Sequence, residues 1–370
     1  MDGSRLDTAR LCGQLIVGGF DGTTLTPSYA DALATGRRGG AILFARNIDN
    51  VEQLTQLNRA IIDAAGELLP FIGVDQEGGR VARLRAPFIA LPPMRALAAA
   101  DDLSLTHDAA AQVARELAAV GFNIDFAPVM DVDSNPDNPI IGDRAFGADP
   151  RSVMRHGVAW LRGLQSEDVL ACAKHFPGHG DTALDSHLAL PTVERPRQRL
   201  DAIEIPPFRA AAGAGVASMM SAHVVYPALD ANVPATFSRA ICTDILRHQI
   251  GFEGVLFSDD LEMGAIAQHH DIEHAAVSAL EAGCDVLLIC KDEALQERAH
   301  AALCARFDSD ATFAQRCRQA ASRALGLRQL CPPHVAGDGV IGDLLAGEQA
   351  TALRQRIDAA LGLDPRAGQA

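Results

Sequence analysis

The stretch that decides the fold is GAILFARNIDNVEQLTQLNRAIIDAAGELLPFIGVD, residues 40–75. Its two ends are short apolar runs, which are typical of buried strands. Between them, the segment from Val51 has apolar residues at steps of three and four and ends on Gly66, as an amphipathic helix does. A strand, a helix and a second strand in this order form a βαβ unit with parallel strands. The stretch therefore predicts an α/β protein.

The same alternation continues along the rest of the chain and gives eight candidate strands. They are QLIVGGF from Gln14, GAILFA from Gly40, PFIGVD from Pro70, FNIDFAPVMD from Phe122, VLACAKH from Val169, VASMMSAHV from Val216, GVLFSD from Gly254 and DVLLIC from Asp285. Eight strands alternating with helices predict a single (β/α)8 TIM-type barrel, which we expect over residues 1–331. CPPHVAGDG then breaks the helix pattern, and residues 332–370 are predicted to be a C-terminal helical extension, packed on the barrel or partly disordered.

Charge and composition exclude several classes of function. The 370 residues include 32 Lys plus Arg and 47 Asp plus Glu, a formal net charge of −15, which is the wrong sign for binding nucleic acid. No apolar run reaches the roughly 18–20 residues of a membrane helix, and the opening residues lack a signal-peptide pattern. The eight cysteines contain no CxxC pair and are expected to be reduced thiols. We therefore expect a cytoplasmic protein, a monomer or weak homodimer, that acts on a small molecule without nucleic acid or membrane.

Polar residues that directly follow the predicted strands are the candidates for chemistry, because the active sites of parallel barrels lie at the carboxyl ends of their strands. These residues are Asp75, Asp131, Lys174, His175, His223, Asp259 and Asp260. A single carboxylate in this position often caps the next helix, and that role is expected for Asp131 or Asp260. Asp75 is followed by Arg80, Arg83 and Arg85, whose guanidinium groups suit binding of hydroxyls or carboxylates.

The densest polar segment is KHFPGHGDTALDSH, residues 174–187, and two interpretations of it remain open. In the first, a metal ion is bound, and the candidate ligands are His175, His179, Asp181, Asp185 and His187. In the second, Asp185 orients His187 and raises the basicity of its imidazole, so that His187 acts as a general acid opposite a nucleophilic Asp259. The glycine-rich loop that carries His187 is expected to move and bring this residue in when substrate binds.

Five segments in order resemble the signature blocks of glycoside hydrolase family 3, in particular its bacterial single-barrel β-N-acetylglucosaminidases. The segments are GVDQEGGRVARL from Gly73, NIDFAPVMDVD from Asn123, IIGDRAFG from Ile140, KHFPGHGDTALDSH from Lys174 and FSDDLEMGAI from Phe257. The resemblance implies that Asp259 is the nucleophile and that His187, held by Asp185, is the acid/base. It also implies a set of residues around the terminal N-acetylglucosamine, namely Asp75, Arg83, Arg144, Lys174 and His175.

The activity implied by the resemblance is retaining removal of N-acetylglucosamine from 1,6-anhydro-N-acetylmuramyl fragments and their peptides in peptidoglycan recycling, with neither metal nor cofactor. A histidine in place of the second carboxylic acid would not repel an incoming anion, so phosphate competes with water as acceptor in this interpretation. The phosphorylase is therefore one alternative, and a β-glucosidase with the same nucleophile is another. Less favoured alternatives are a metal-dependent hydrolase built on the His and Asp loop and an inactive sugar-binding barrel.

Overall fold

Eight parallel strands close into a barrel in the computed structural model, which describes residues 6–182, 190–345 and 347–363. In chain order the strands are β1 (Ile16–Gly18), β2 (Gly40–Leu43), β3 (Phe71–Val74), β4 (Ile124–Asp125), β5 (Leu170–Phe176), β6 (Ser218–Ser221), β7 (Val255–Asp260) and β8 (Val286–Ile289). Each strand pairs with its neighbours in sequence, and β1 pairs with β8 through Ile16 and Leu287 to close the ring. The predicted TIM-type barrel and all eight predicted strands are confirmed.

Helices surround the barrel and connect successive strands. Their bounds are Thr8–Gly13, Pro27–Ala34, Val51–Ala65, Met94–Ala99, Leu103–Ala119, Pro150–Gln165, Arg197–Ala202, Ile205–Gly213, Ala240–Ile250, Gly264–Ala267, Ile272–Ala282, Glu293–Ser309, Ala311–Leu330, Asp338–Leu345 and Glu348–Ala360. Several begin at a side chain that accepts a hydrogen bond from an otherwise unpaired backbone N–H. For example, Asn50 accepts from the N–H of Gln53, and Asp149 accepts from that of Ser152. Two short hairpins, Gln76–Gly78 with Val81–Ala82 and Val225–Tyr226 with Asp230–Pro234, extend from the strand ends.

The barrel interior is a packed core. Phe257 lies at its centre and makes edge-to-face contacts with Phe71 and Phe126, with ring centroids 5.4 Å apart in both pairs. Val17 and Ile42 are buried in the same cluster. Because these side chains fill the interior, a substrate has access only to the rim of the barrel, where the strands end.

The described part of the C-terminal segment lies against the barrel helix Leu103–Ala119. Leu353 and Ile357 are buried, and Arg356 forms an ion pair of 2.8 Å with Asp108 on that helix. The N–H of Ala336 donates to the carbonyl of Ala119 at 2.9 Å. These contacts agree with packing on the barrel, whereas the domain division at residue 331 stays a prediction.

A buried ionic network lies at the amino end of the barrel, just before β8. Asp285 is fully buried and accepts hydrogen bonds from three guanidinium groups at 2.6–3.1 Å, those of Arg247, Arg316 and Arg323. It also accepts from the backbone N–H of Leu256 at 3.0 Å. This carboxylate therefore joins two helices to the start of β8.

The cysteines are all free thiols, and seven of the eight are buried. Among the described residues, no helix is both long enough and apolar enough to cross a membrane.

Candidate active site

A cavity of about 510 Å³ opens at the carboxyl ends of the strands. Six of the predicted site residues line it, namely Asp75, Arg83, Arg144, Lys174, His175 and Asp259. They come from segments far apart in the sequence, and the barrel brings them together because all eight parallel strands end on the same side. The fold thus brings these six residues to one cavity, and their roles in it stay a prediction.

Lys174 connects two carboxylates at one wall of the cavity. Its Nζ lies 2.9 Å from Oδ1 of Asp75 and 2.6 Å from Oε1 of Glu77. The Lys174 side chain is 3% exposed and that of Glu77 is 2% exposed, so both charges are almost completely removed from water. The two carboxylates raise the pKa of Lys174 above its ordinary value, although burial alone would lower it. The ammonium group is thus fixed in position and stays charged.

Arg144 binds the other side of Glu77 with two parallel hydrogen bonds. Its Nε and Nη2 each donate to a Glu77 oxygen at 2.8 Å, a bidentate geometry that only arginine provides. Burial would raise the pKa of Glu77, but the charges of Arg144 and Lys174 outweigh it and hold this pKa well below its usual range. Glu77 therefore orients two of the predicted sugar-binding cations, a role that the sequence analysis missed.

Asp75 is the more exposed of the two carboxylates in this wall, with 15% of its side chain accessible against 2% for Glu77. Besides Lys174, it accepts a hydrogen bond from Nη2 of Arg83 at 3.1 Å. Burial favours its neutral form, but Lys174 and Arg83 lower the pKa of Asp75 below its ordinary value. An ionised carboxylate with fixed partners is suited to accept hydrogen bonds from sugar hydroxyls.

His175 is held from behind by Asp131, and this corrects the expected role of Asp131. The carboxylate accepts a hydrogen bond from Nδ1 of His175 at 2.7 Å and others from the backbone N–H groups of His175 and His179 at 3.1 and 2.6 Å. None of these donors lies in a helix, so Asp131 is not a helix cap. The prediction was wrong because the end of β5 and the loop after it supply three donors, which occupy both oxygens of Asp131.

Asp259 lies at the end of β7 and lines the cavity. It is half-buried. Desolvation by itself raises its pKa, but the nearby His175 and His223 and the N–H of Asp260, 2.8 Å away, lower the pKa of Asp259 below its usual value. The carboxylate is therefore ionised at neutral pH in a pocket that contains cationic groups. An anionic oxygen in this position is suited to attack an electrophilic carbon.

Asp260, the neighbouring carboxylate, has a structural function. It accepts from the N–H groups of Glu262 and Cys290, both at 3.1 Å, and so connects the ends of β7 and β8. Burial raises the pKa of Asp260 to about 7. The following helix begins after Met263, so the expected capping role of Asp260 is also wrong.

His223 is a buried histidine that contacts the backbone of the segment carrying Asp259 and Asp260. It is fully buried, with Nδ1 2.8 Å from the hydroxyl of Thr236 and Nε2 3.0 Å from the carbonyl of Asp260. Burial lowers the pKa of His223. Both ring nitrogens are thus engaged by the protein, so His223 fixes the chain that carries Asp259.

The predicted dyad of Asp185 and His187 lies outside the described residues, as does most of the loop whose movement we predict. Of the alternative metal ligands in the described part of the chain, Asp181 has both oxygens on Arg195, and Nδ1 of His175 is on Asp131. Across the described ranges, three or more His, Cys, Asp or Glu side chains nowhere converge as metal ligands do.

The exposed cations of the cavity lining are Arg46, Arg80 and Lys291, and we call this group the basic mouth of the cavity. Arg80 pairs with Asp143 at 3.1 Å at half-exposed positions, and Arg85 is absent from the lining. The chain contains only two lysines, Lys174 and Lys291, and both line this cavity. Lys291, directly after β8, was not selected from the sequence because a single exposed lysine has no distinguishing pattern.

Comparison with known proteins shows similarity in both sequence and fold. The model of the glycosyl hydrolase family 3 N-terminal domain matches residues 12–326. A β-hexosaminidase of Alkalilimnicola ehrlichii is 43% identical over 286 residues, which are 76% of this chain and 81% of that protein. A family 3 β-N-acetylglucosaminidase structure from Paenibacillus sp. str. FPU-7 has a TM-score of 0.91 at 37% identity, covering 96% of this chain and 69% of that one.

A second solved structure matches over nearly its whole length. NagZ from Neisseria gonorrhoeae in complex with N-trifluoroacetyl-D-glucosamine has a TM-score of 0.78 at 32% identity, covering 94% of this chain and 98% of that one. The family match spans most of the barrel, and the similarity includes sequence as well as fold. The chain therefore belongs to glycoside hydrolase family 3, and it is similar to β-hexosaminidases of that family.

Proposed function

We propose that the protein is a retaining exo-β-N-acetylglucosaminidase. The observation that carries the proposal is an ionised, half-buried Asp259 that shares one cavity with the network of Asp75, Lys174 and Arg144. The similarity to β-hexosaminidases and to a β-N-acetylglucosaminidase supports the choice of sugar. The proposed nucleophile and the proposed sugar-binding groups line the same cavity, which supports a glycosidase.

The reaction has two displacement steps. In the first, a carboxylate oxygen of Asp259 attacks the anomeric carbon while the bond to the leaving oxygen breaks, and His187 gives that oxygen its proton. In the second, water gives a proton to His187 and attacks the same carbon, which releases the sugar and restores Asp259. Asp185 orients His187 throughout. Because protein side chains supply both the nucleophile and the proton, the mechanism needs no cofactor.

The terminal sugar binds through the charged wall of the cavity. Lys174 and Arg144 donate to hydroxyl or acetamido oxygens, and Asp75 accepts from hydroxyls, with Arg83 and His175 completing the set. Their mutual ion pairs fix these groups before substrate arrives, and this pre-organisation reduces the entropy lost on binding.

The substrate that we propose is a peptidoglycan fragment, N-acetylglucosaminyl-1,6-anhydro-N-acetylmuramic acid with or without its peptide. Such fragments carry carboxylates beyond the scissile bond, and the basic cavity mouth with Lys291 supports their binding. We place the reaction in the cytoplasm, where the eight free thiols are stable.

Product analysis by mass spectrometry tests the proposal. The purified protein is mixed with the fragment alone, with EDTA and with phosphate. Free N-acetylglucosamine in all three tubes is expected. An activated fluoro-sugar of the same configuration should add one glycosyl unit to the peptide that contains Asp259, and no cleavage of any N-acetylglucosaminide would overturn the proposal.

One alternative has support from the site itself. A cavity wall that carries Lys174 and Arg144, together with a histidine as the acid/base, is compatible with phosphate as the acceptor. N-acetylglucosamine 1-phosphate that forms only in the phosphate tube would indicate a phosphorylase. Loss of activity with EDTA would instead indicate the metal-dependent alternative.

A further inference from the structure

The fully buried carboxylate of Asp131 contacts both the site and the base of the loop after β5. We propose that Asp131 is a positioning residue, which fixes the ring orientation of His175 and anchors the chain that leads to the acid/base loop. Only the expected loss of catalysis rests on the proposed function, because the contacts of Asp131 are seen in the structure whatever the activity. Asp131 accepts hydrogen bonds from three donors, the ring nitrogen Nδ1 of His175 and the backbone N–H groups of His175 and His179.

The contact with the ring determines which nitrogen faces the cavity. Oδ2 of Asp131 lies 2.7 Å from Nδ1 of His175. An ionised carboxylate only accepts hydrogen bonds, so Nδ1 must carry a proton. His175 lines the cavity, and Nε2 is on the opposite edge of the ring, directed away from Asp131. The carboxylate therefore presents Nε2 to the substrate.

The other oxygen organises the loop. Oδ1 accepts from the backbone N–H of His175 at 3.1 Å and from that of His179 at 2.6 Å, so it joins the two ends of a five-residue turn. The turn is also fixed from outside, because the hydroxyl of Tyr226 donates to the carbonyl of Gly178 at 2.6 Å. Residue 183, where the undescribed part of the loop begins, follows only four residues after His179. Asp131 thus gives this loop a fixed starting point.

The substitution Asp131→Asn separates the two roles. The two backbone N–H groups require an acceptor, so the amide oxygen takes the place of Oδ1 and its NH₂ group faces Nδ1 of His175. Nδ1 must then accept, and the ring proton moves to Nε2. The turn is retained while the ring is forced into the opposite tautomer. A similar exchange in the serine protease triad has a large catalytic cost.

The experiment compares Asp131→Asn with a matched control, Asp125→Asn. Asp125 is also fully buried, lies on β4 and accepts from the N–H of Gln76 at 2.9 Å, but it is not among the cavity-lining residues. We expect Asp131→Asn to lower kcat/KM for an N-acetylglucosaminide by about 100-fold and to weaken binding of free N-acetylglucosamine. Asp125→Asn should change kcat/KM by less than about threefold. Thermal unfolding verifies that both variants are folded.

A spectroscopic measurement tests the geometry without any turnover. The ¹⁵N chemical shifts of the His175 ring, assigned by comparison with His175→Gln, should show a protonated Nδ1 in the wild type and a protonated Nε2 in Asp131→Asn. An unchanged tautomer, or activity equal to that of Asp125→Asn, would overturn the inference. If the wild type cleaves no N-acetylglucosaminide but the tautomer changes as expected, the proposed function fails and the positioning role remains.

Discussion

Both ends of the barrel contain buried ion networks, but only one of them belongs to the site. At the amino end, Asp285 is surrounded by three arginines and a backbone N–H, so its oxygens are fully occupied by the protein. At the carboxyl end, Lys174 and Glu77 are almost as far removed from water, but together with Asp75 they border a cavity. Burial of charge is therefore not sufficient to identify a site. The charged group must also face a space that a ligand can enter.

The largest expected effect concerns Asp259. Replacing it with Asn should lower kcat/KM by on the order of 10⁴-fold or more, because the nucleophile is lost. The measurement is hydrolysis of 4-nitrophenyl N-acetyl-β-D-glucosaminide. The neighbouring Ser258 is fully buried and does not line the cavity, so Ser258→Ala is the matched control. Turnover of Asp259→Asn at the wild-type rate would show that the nucleophile is assigned wrongly.

The amino-end network should affect stability and not catalysis. Asp285→Asn leaves three guanidinium groups without their counter-charge and should lower the free energy of unfolding by about 3–5 kcal/mol, as measured by urea denaturation. The exposed pair of Asp338 with Arg59 provides the control, since Asp338→Asn should cost less than about 1 kcal/mol. A loss of kcat/KM in folded Asp285→Asn would contradict the proposed difference between the two networks.

The carboxyl-end network should affect both properties. Glu77→Gln removes the charge that orients Lys174 and Arg144, and we expect kcat/KM to fall by about 100-fold, with a rise in KM for the sugar. Asp143→Asn, at the half-exposed pair with Arg80, serves as control and should have little effect. Stability that falls without any change in KM would mean that this network is merely structural.

A smaller effect, visible in the pH dependence of stability, is expected for Asp125. Burial raises its pKa to about 8, so the folded state retains a proton that the unfolded chain, with an Asp pKa of about 3.9, releases earlier. Folding must therefore take up a proton at Asp125, and the wild type loses stability as pH rises from about 4 to 8. Relative to the wild type, Asp125→Asn should gain about 2 kcal/mol of stability between about pH 5 and about pH 6.5, roughly 1.4 kcal/mol per pH unit, measured by urea unfolding. Asp131, whose pKa is lowered, should show no such gain when replaced by Asn.

The smallest expected effect is at the cavity mouth. Lys291→Ala should raise KM about three- to tenfold for the peptide-free fragment, whose lactyl group is a free carboxylate, and not for a neutral nitrophenyl glycoside. The difference should decrease at high salt, because the lysine is exposed. Arg85→Ala, a cation outside the cavity lining, is the matched control. Equal effects on both substrates would rule out recognition of the carboxylate.

The barrel and four of the cavity-lining residues, Asp75, Lys174, His175 and Asp259, were predictable because they follow local rules, whereas Arg144 came only from the family resemblance. Each strand is a short apolar run, and a polar residue at its carboxyl end must point to the common rim of a parallel barrel. Asp131 and Asp260 were misjudged because their partners, the N–H groups of His179 and Cys290, come from other segments of the chain. Glu77 was overlooked although it lies two residues after Asp75, a spacing that places both side chains on the same side of an extended chain.

The sequence by itself determined the class of fold, because the periodicity that marks strands and helices depends on neighbouring residues. It also determined the end of the barrel at which we place the chemistry and the candidate nucleophile, because both follow from the residues at the strand ends. Only the tertiary structure decided which carboxylates are ionised, which of them hold other side chains and which face the cavity. These properties depend on distances between segments up to about 100 residues apart, such as Asp75 and Lys174. The same carboxyl group is a ligand-binding group beside a cavity and a structural group inside a closed network, because its surroundings set both its charge and its access to substrate.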